Sequence, residues 1–265
     1  MLNDPTKEAE TESIEIRCYF VRERNALLVR GDFAPLYTDF YLHLMQHSIK
    51  HERPFDDRLK MALSALALYL GSRPQDETTA WTIHISRPLM NVFVTGGSRP
   101  GRVTGRVFTE EVKDSGKGLF ISQVTRPNHQ SRQSMVETQG SDVLEMVEHF
   151  YEQSEQRMTR FFPGPDEELT MLTAEPDCDE EWLMSLSPDE VPSIGEREHL
   201  TLLETRGYQF ECGCSVDRLY PLLGRLSDED LMHIFADGVA TITCPRCAAV
   251  YHTPQEHFEE WKKAQ

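Results

Sequence analysis

The sequence predicts an α+β protein in three parts: an N-terminal mixed strand/helix domain, an acidic linker and a small C-terminal domain. Three observations carry this. Strand-like and helix-like apolar patterns interleave from Ile14 to about residue 162. From Pro163 to Glu196 there are then eleven Asp or Glu residues and no Lys or Arg. Finally, four of the six cysteines fall into two tight pairs beyond residue 207. The expected divisions are a disordered N-terminus over 1–13, a first domain over 14–174, a linker over 175–206 and a compact domain over 207–265.

Residues 1–13 are polar and acidic without periodicity, the pattern of a disordered arm. Ile14, Ile16, Cys18 and Phe20 alternate with more polar residues, and Asn25 turns the chain into Ala26–Arg30, giving a hairpin. Two helices follow, over Pro35–Lys50 and Phe55–Gly71. The second sets Leu59, Leu63, Leu66, Ala67 and Leu70 on one face and stops at Gly71. Ala80–Ser86, Leu89–Thr95, Arg102–Thr109 and Gly118–Val124 read as strands. Ser141 or Asp142 caps a helix expected to run to about Phe162, where Pro163-Gly164-Pro165 ends it. In the linker, Pro176, Pro188 and Pro192 surround one apolar island, Trp182, Leu183, Met184 and Leu186. Beyond Gly207 come a helix from Ser215, a second capped by Ser227, strands Val239–Thr243 and Ala248–Tyr251, and a last helix. Thr253-Pro254-Gln255-Glu256 opens that last helix as a capping box.

Composition excludes several classes. With 44 acidic and 27 basic side chains the formal charge is −17, which repels nucleic acid and anionic membrane. No apolar run approaches the length of a membrane span, and Met61–Leu70 is the longest. The acidic N-terminus is unlike a signal or transit peptide. A cytoplasmic protein is expected.

The strongest motif is Cys212-Gly-Cys214 followed, after 29 residues, by Cys244-Pro-Arg-Cys247. Four thiolates satisfy tetrahedral Zn²⁺, and each short spacing bends two sulfurs onto one ion. The C-terminal 59 residues are also few for a self-sufficient core, where a structural zinc contributes on the order of 10 kcal/mol. A small zinc-binding domain with one zinc per chain is therefore expected. A thioredoxin-like redox pair at Cys244–Cys247 would need a helix after the motif, whereas Ala-Ala-Val-Tyr is strand-like. The C-x-C half permits a switch as well as a staple.

His43, His47 and His51 recur at helical spacing but lack the carboxylate of a metal motif, and are read as solvated. Gly96–Gly101 is read as a hairpin turn, because it lacks the Lys-Ser/Thr end of a phosphate loop. Cys18 is read as a core residue, and Cys178 as a thiol of raised pKa among acids. No catalytic constellation stands out, so no enzymatic active site is expected.

Three stretches together resemble the heat shock protein 33 family of redox-regulated chaperones. They are His149–Phe162 with its Ser154-Glu155-Gln156, Phe210-Glu-Cys-Gly-Cys-Ser215, and Ile242-Thr-Cys-Pro-Arg-Cys-Ala-Ala-Val-Tyr251. Gly101-Arg-Val-Thr-Gly105 is a fainter echo. The sequence departs from the family in lacking the glycine-rich stretch after the Ser-Glu-Gln helix, in a shorter linker and in a divergent N-terminal domain. The resemblance implies an ATP-independent holdase whose Cys212, Cys214, Cys244 and Cys247 hold zinc in the reduced, inactive form. It further implies that oxidation forms disulfides Cys212–Cys214 and Cys244–Cys247, releases zinc and unfolds the linker. Unfolding client proteins, and a homodimer on activation, are the partners it implies. The rival reading is a zinc-ribbon protein-interaction module with permanent structural zinc. The nine acidic and six basic residues of Arg206–Gln265 leave it no basic face for nucleic acid.

Overall fold

The computed structural model describes residues 13–264. Apart from Ser13, the stretch expected to be disordered lies outside the described residues. Strands β1 (Ile14–Val21) and β2 (Ala26–Asp32) make the expected hairpin, with Asn25 left-handed at φ 48°. Helices α1 (Ala34–Gln46) and α2 (Arg53–Gly71) each start with a proline in the first turn, where no N–H is needed. Then come β3 (Thr78–Ser86), β4 (Leu89–Ser98), β5 (Gly101–Phe108), β6 (Gly118–Thr125) and β7 (Arg132–Thr138). The hairpin expected at Gly96–Gly101 is tighter than that span: only Arg99-Pro100 turns, while Gly96–Ser98 and Gly101 pair as the ends of β4 and β5.

Asp142 caps α3 (Val143–Phe150), its Oδ1 accepting the amides of Leu144 and Glu145 at 2.8 and 3.1 Å. This helix does not reach Phe162. It loosens into one π turn over Tyr151–Glu155 and stops at Gln156, which is left-handed. Thr159–Pro163 is instead a strand, β8, paired with β9 (Glu168–Ala174). The alternation of Thr159 and Phe161 and the run Leu169–Ala174 suit a pleated, buried surface, and that outweighs the neighbouring acids. The Ser-Glu-Gln signature occupies the π turn. There Glu155 pairs with Arg73 at 3.3 Å and Arg132 at 3.6 Å, tying α2 and β7 to the helix end.

The remaining elements are α4 (Glu180–Ser185), β10 (Leu200–Phe210), α5 (Val216–Leu223), α6 (Asp228–Ile234), β11 (Val239–Thr243), β12 (Val250–Pro254) and α7 (Gln255–Lys263). The segment expected as linker, 175–206, thus contains α4, two short 3-10 turns and the first half of a strand. The division expected at 206/207 falls inside β10. The capping box before α7 is also corrected: Thr253 is buried and spends its hydroxyl on Tyr220 at 2.7 Å, leaving Pro254 as an uncapped start.

One sheet of ten strands runs β7-β6-β3-β4-β5-β10-β1-β2-β9-β8, and β11 pairs with β12 separately. All neighbours are antiparallel except β10 against β5. That parallel join needs a close approach. A Cβ on Gly101 would lie 1.8 Å from the carbonyl oxygen of Gly207, so only glycine fits. Helices α1, α2 and α3 cover one face. Every residue from Ala62 to Gly71 is buried, so the second half of α2 is enclosed on all sides rather than on one stripe. Trp81, Tyr69, Phe120 and Phe150 pack edge-on or stacked at its centre.

A second apolar cluster lies at the β1-β2-β9-β8 end. Val21, Leu28, Phe162 and Leu172 from the strands meet Leu183, Leu186, Val191 and Ile194 from the acidic segment. Charged groups fasten this cover. Arg24 reaches Asp179 at 2.6 Å and Glu198 at 3.2 Å and lies over Trp182, while one Arg160 nitrogen donates to the carbonyls of Leu183, Met184 and Leu186.

Candidate metal centre

Strand β10 delivers the first cysteine pair. Beyond Phe210, the Glu211 amide donates to the Val103 carbonyl at 3.0 Å and the Glu211 carboxylate pairs with Arg102 at 2.7 Å. The C-x-C loop is therefore anchored to β5. Gly213 takes φ +64°, turning both cysteines the same way, and Ser215 then caps α5. The second pair occupies the loop of the β11–β12 hairpin. Its knuckle closes with Cys244 N–H to Ala249 O at 2.8 Å and Ala248 N–H to Cys244 O at 3.0 Å, with Ala248 left-handed at φ 61°.

These two loops bring the four expected residues together. Cys212, Cys214, Cys244 and Cys247 place their sulfurs within 4.8 Å of one another, with 3.7 Å between Cys212 and Cys244 and 3.5 Å between Cys214 and Cys247. A tetrahedron with bonds of about 2.3 Å sets its sulfurs roughly 3.8 Å apart, so the arrangement fits a metal ion held by four thiolates. All four are free thiols, and Cys244 and Cys247 are buried. Around the cluster lies a small core of Leu219, Tyr220, Phe235, Ile242 and Phe258.

The thiols share their protons unequally. Cys214 is drawn down to about 6, first by the hydrogen bond from Cys212, with Cys247 assisting. Cys244 is also lowered, first by Cys212, while Cys212 and Cys247 are raised as the donors in those bonds. Crowding four sulfurs thus favours thiolate on part of the set even without a metal. The Tyr251 hydroxyl lies 3.2 Å from the Cys214 sulfur and donates to the Cys214 carbonyl at 3.1 Å. The two other cysteines take no part. Cys18, on β1 beside β10, is buried in the main core and raised to about 11, chiefly by burial, and Cys178 is raised by burial and by Glu180 and Asp179.

The histidines depart from expectation. His43 and His47 are half-buried against the C-terminal lobe rather than solvated. His43 Nε2 lies 2.9 Å from the Cys247 carbonyl and His47 Nδ1 3.3 Å from that of Val250. A carbonyl only accepts, so each of those nitrogens carries the proton. His51 binds Asp56 instead, at 2.9 Å. Arg106 of β5 donates to the Cys244 carbonyl at 3.1 Å. Helical spacing showed that His43 and His47 share a face. Nothing local showed that the face meets a loop two hundred residues later.

A family model described as Hsp33 protein matches residues 163–254. The 33 kDa chaperonin of Photorhabdus laumondii is 24% identical over 259 residues, covering 84% of this chain and 88% of that protein. That of Pectobacterium atrosepticum is 28% identical over 164 residues, covering 51% of this chain and 56% of that protein's length. The crystal structure of the 33 kDa chaperonin (heat shock protein 33 homolog) of Thermotoga maritima shares the fold, with a TM-score of 0.72 at 16% identity over 96% of this chain and 99% of that one. No helix among the described residues is long and apolar enough to cross a membrane. The matched segment, the full-length relatives and the shared fold agree: this chain is similar to the heat shock protein 33 family, at low identity.

Proposed function

We propose that the chain is a redox-regulated, ATP-independent holdase, inactive when its four cysteines are reduced and hold one zinc ion, and active once they are oxidised. The observation that carries this reading is the position of the acidic segment. It joins β9 to β10, the strand that runs on into the metal lobe, and it also covers the apolar face of Val21, Leu28, Phe162 and Leu172. A change in the lobe can therefore expose a binding surface without any catalytic step.

Bound zinc would hold the four sulfurs as thiolates and stabilise the lobe by on the order of 10 kcal/mol. Each disulfide, Cys212–Cys214 and Cys244–Cys247, would form as two thiolates give two electrons to one peroxide, which takes two protons from solvent and leaves as two waters. Four sulfurs in disulfides no longer supply a metal site, and the small lobe loses its staple. The segment from 175 toward 206 then opens from its α4 end, helped by repulsion among its acids, while the residues inside β10 keep their sheet partners. Clients are unfolding proteins with exposed apolar segments, and a homodimer forms on activation. The protein is read as cytoplasmic, and the net charge of −17 disfavours binding to nucleic acid or anionic membrane.

Replacing Cys212 and Cys214 together with serine tests the reading. The variant should bind less than half an equivalent of zinc and suppress aggregation of a heat-unfolded client in reductant and in peroxide alike. A variant without zinc that protects no client under either condition refutes the gating. A variant that keeps a full equivalent refutes the four-cysteine site.

A further inference from the structure

Each cysteine pair is anchored to the core domain, and the two anchors differ. The C-x-C loop is held by the covalent continuation of β10 and by the Glu211 contacts with β5. The C-x-x-C knuckle has no such strand behind it. It is gripped through its main chain, with Arg106 Nη1 on the Cys244 carbonyl at 3.1 Å and His43 Nε2 on the Cys247 carbonyl at 2.9 Å. The two donors thus take the carbonyls of the two cysteines of the knuckle. His43 is in turn fixed by edge contact with Phe210, whose ring also meets Phe40 at 5.6 Å.

Arg106 is the more telling of the two. Its guanidinium is half-buried over the ring of Phe108, and among the described residues no carboxylate lies within ion-pair distance of it. Its Nε is buried without a partner. A part-buried cation without a counter-charge is costly to keep. Burial disfavours its charge, and the sulfurs of Cys244 and Cys247 are the groups that oppose that loss. A divalent ion with four thiolates carries a net charge of −2, which supplies the counter-charge that no Asp or Glu provides.

We propose that Arg106 and His43 are positioning residues of the metal centre, side chains of β5 and α1 that hold the Cys244–Cys247 knuckle on the core domain and couple metal occupancy to docking of the C-terminal lobe. This rests on the reading that the four cysteines hold a metal ion. Coupling is reciprocal: if docking tightens metal binding by some factor, metal tightens docking by the same factor. Loss of the ion would then free α1 and the Phe210 face as well as the acidic segment.

The test uses full-length reduced protein loaded with Zn²⁺, or with Co²⁺ as a spectroscopic probe. Arg106→Ala and His43→Ala should each speed zinc transfer to excess chelator about tenfold or more, the size expected for losing a charge-assisted or a part-buried hydrogen bond. His43→Gln, which keeps an N–H donor, should stay within about twofold of wild type. All three variants should retain the absorption of a four-thiolate Co²⁺ site, since no ligand is removed. Hydrogen exchange in α1 should quicken on zinc removal from wild type and be quick already in zinc-loaded Arg106→Ala. Release rates within twofold of wild type for both alanine variants, or α1 exchange indifferent to zinc, would overturn the coupling. So would a collapsed cobalt–thiolate spectrum, which would make the residue a determinant of the fold. Wild-type protein holding less than half an equivalent of zinc would defeat the metal reading itself and this coupling with it, an outcome told apart by stoichiometry alone.

Discussion

Leu183→Ala is the sharpest probe of the cover over the second apolar cluster. Leu183 is fully buried and packs with Val21, Leu28, Phe162 and Leu172, while its carbonyl accepts from Arg160. Truncating a buried leucine costs about 2–5 kcal/mol. The lower half of that range is expected, because the Arg160 bonds run to main-chain carbonyls and survive the substitution. Even 2 kcal/mol raises the open population of the segment about 30-fold. The loss should be local, since α4 and the two short turns touch the core through few apolar side chains, whereas α2 lies in the larger cluster. Hydrogen exchange followed by mass spectrometry reads this directly. Peptides over 175–199 should exchange at least tenfold faster in reduced, zinc-loaded Leu183→Ala, and peptides over 59–70 should not change. Equal acceleration in both regions would show that the segment unfolds only with the whole domain, and the reasoning would fail.

Other outcomes follow from the same contacts. Gly101→Ala drives a Cβ into the Gly207 carbonyl and should lower thermal stability by more than about 2 kcal/mol, measured by calorimetry; a neutral result would refute the close β5–β10 join. Cys18, raised to about 11 by burial, should resist alkylation in native protein at pH 8 while Cys178 at the surface reacts slowly, as counted by mass after quenching. Glu190 is depressed to about 2, first by Arg197 and then by the Ser187 amide and hydroxyl. Its folded value lies below its unfolded one, so its support for the 187–197 turn is complete above about pH 5 and is lost as pH falls toward 2. Amide chemical shifts of Ser187 and Arg197 should move in that window and not between pH 6 and 8.

Local patterns revealed some of this structure, and non-local pairing hid the rest. The hairpin at Asn25, helices α1 and α2, and strands β3 to β6 rest on periodicity and turn residues within their own windows. The four cysteines are legible for the same reason, since two short spacings fix each loop. β9 is not legible, because its acidic neighbours dominate the composition of the stretch. β10 is hidden differently. Leu202 and Leu203 are both exposed, so the strand has no clean alternation, and its partners β1 and β5 lie some hundred or more residues away. His43 and His47 show one face of α1 in sequence, but the Cys247 and Val250 carbonyls that satisfy them belong to the other end of the chain. That Arg106 makes no ion pair with a carboxylate among the described residues becomes visible only in three dimensions.

On the proposed function, oxidation of one four-cysteine centre releases a client-binding surface. Light scattering of a heat-unfolding client, with zinc release followed in the same sample by a chromogenic chelator, tests it most directly. Little protection and about one retained zinc per chain are expected in reductant. In peroxide, loss of that zinc, two new disulfides and strong suppression of aggregation are expected, with zinc loss preceding activity. Equal protection in both conditions, or activation while zinc stays bound, would contradict it.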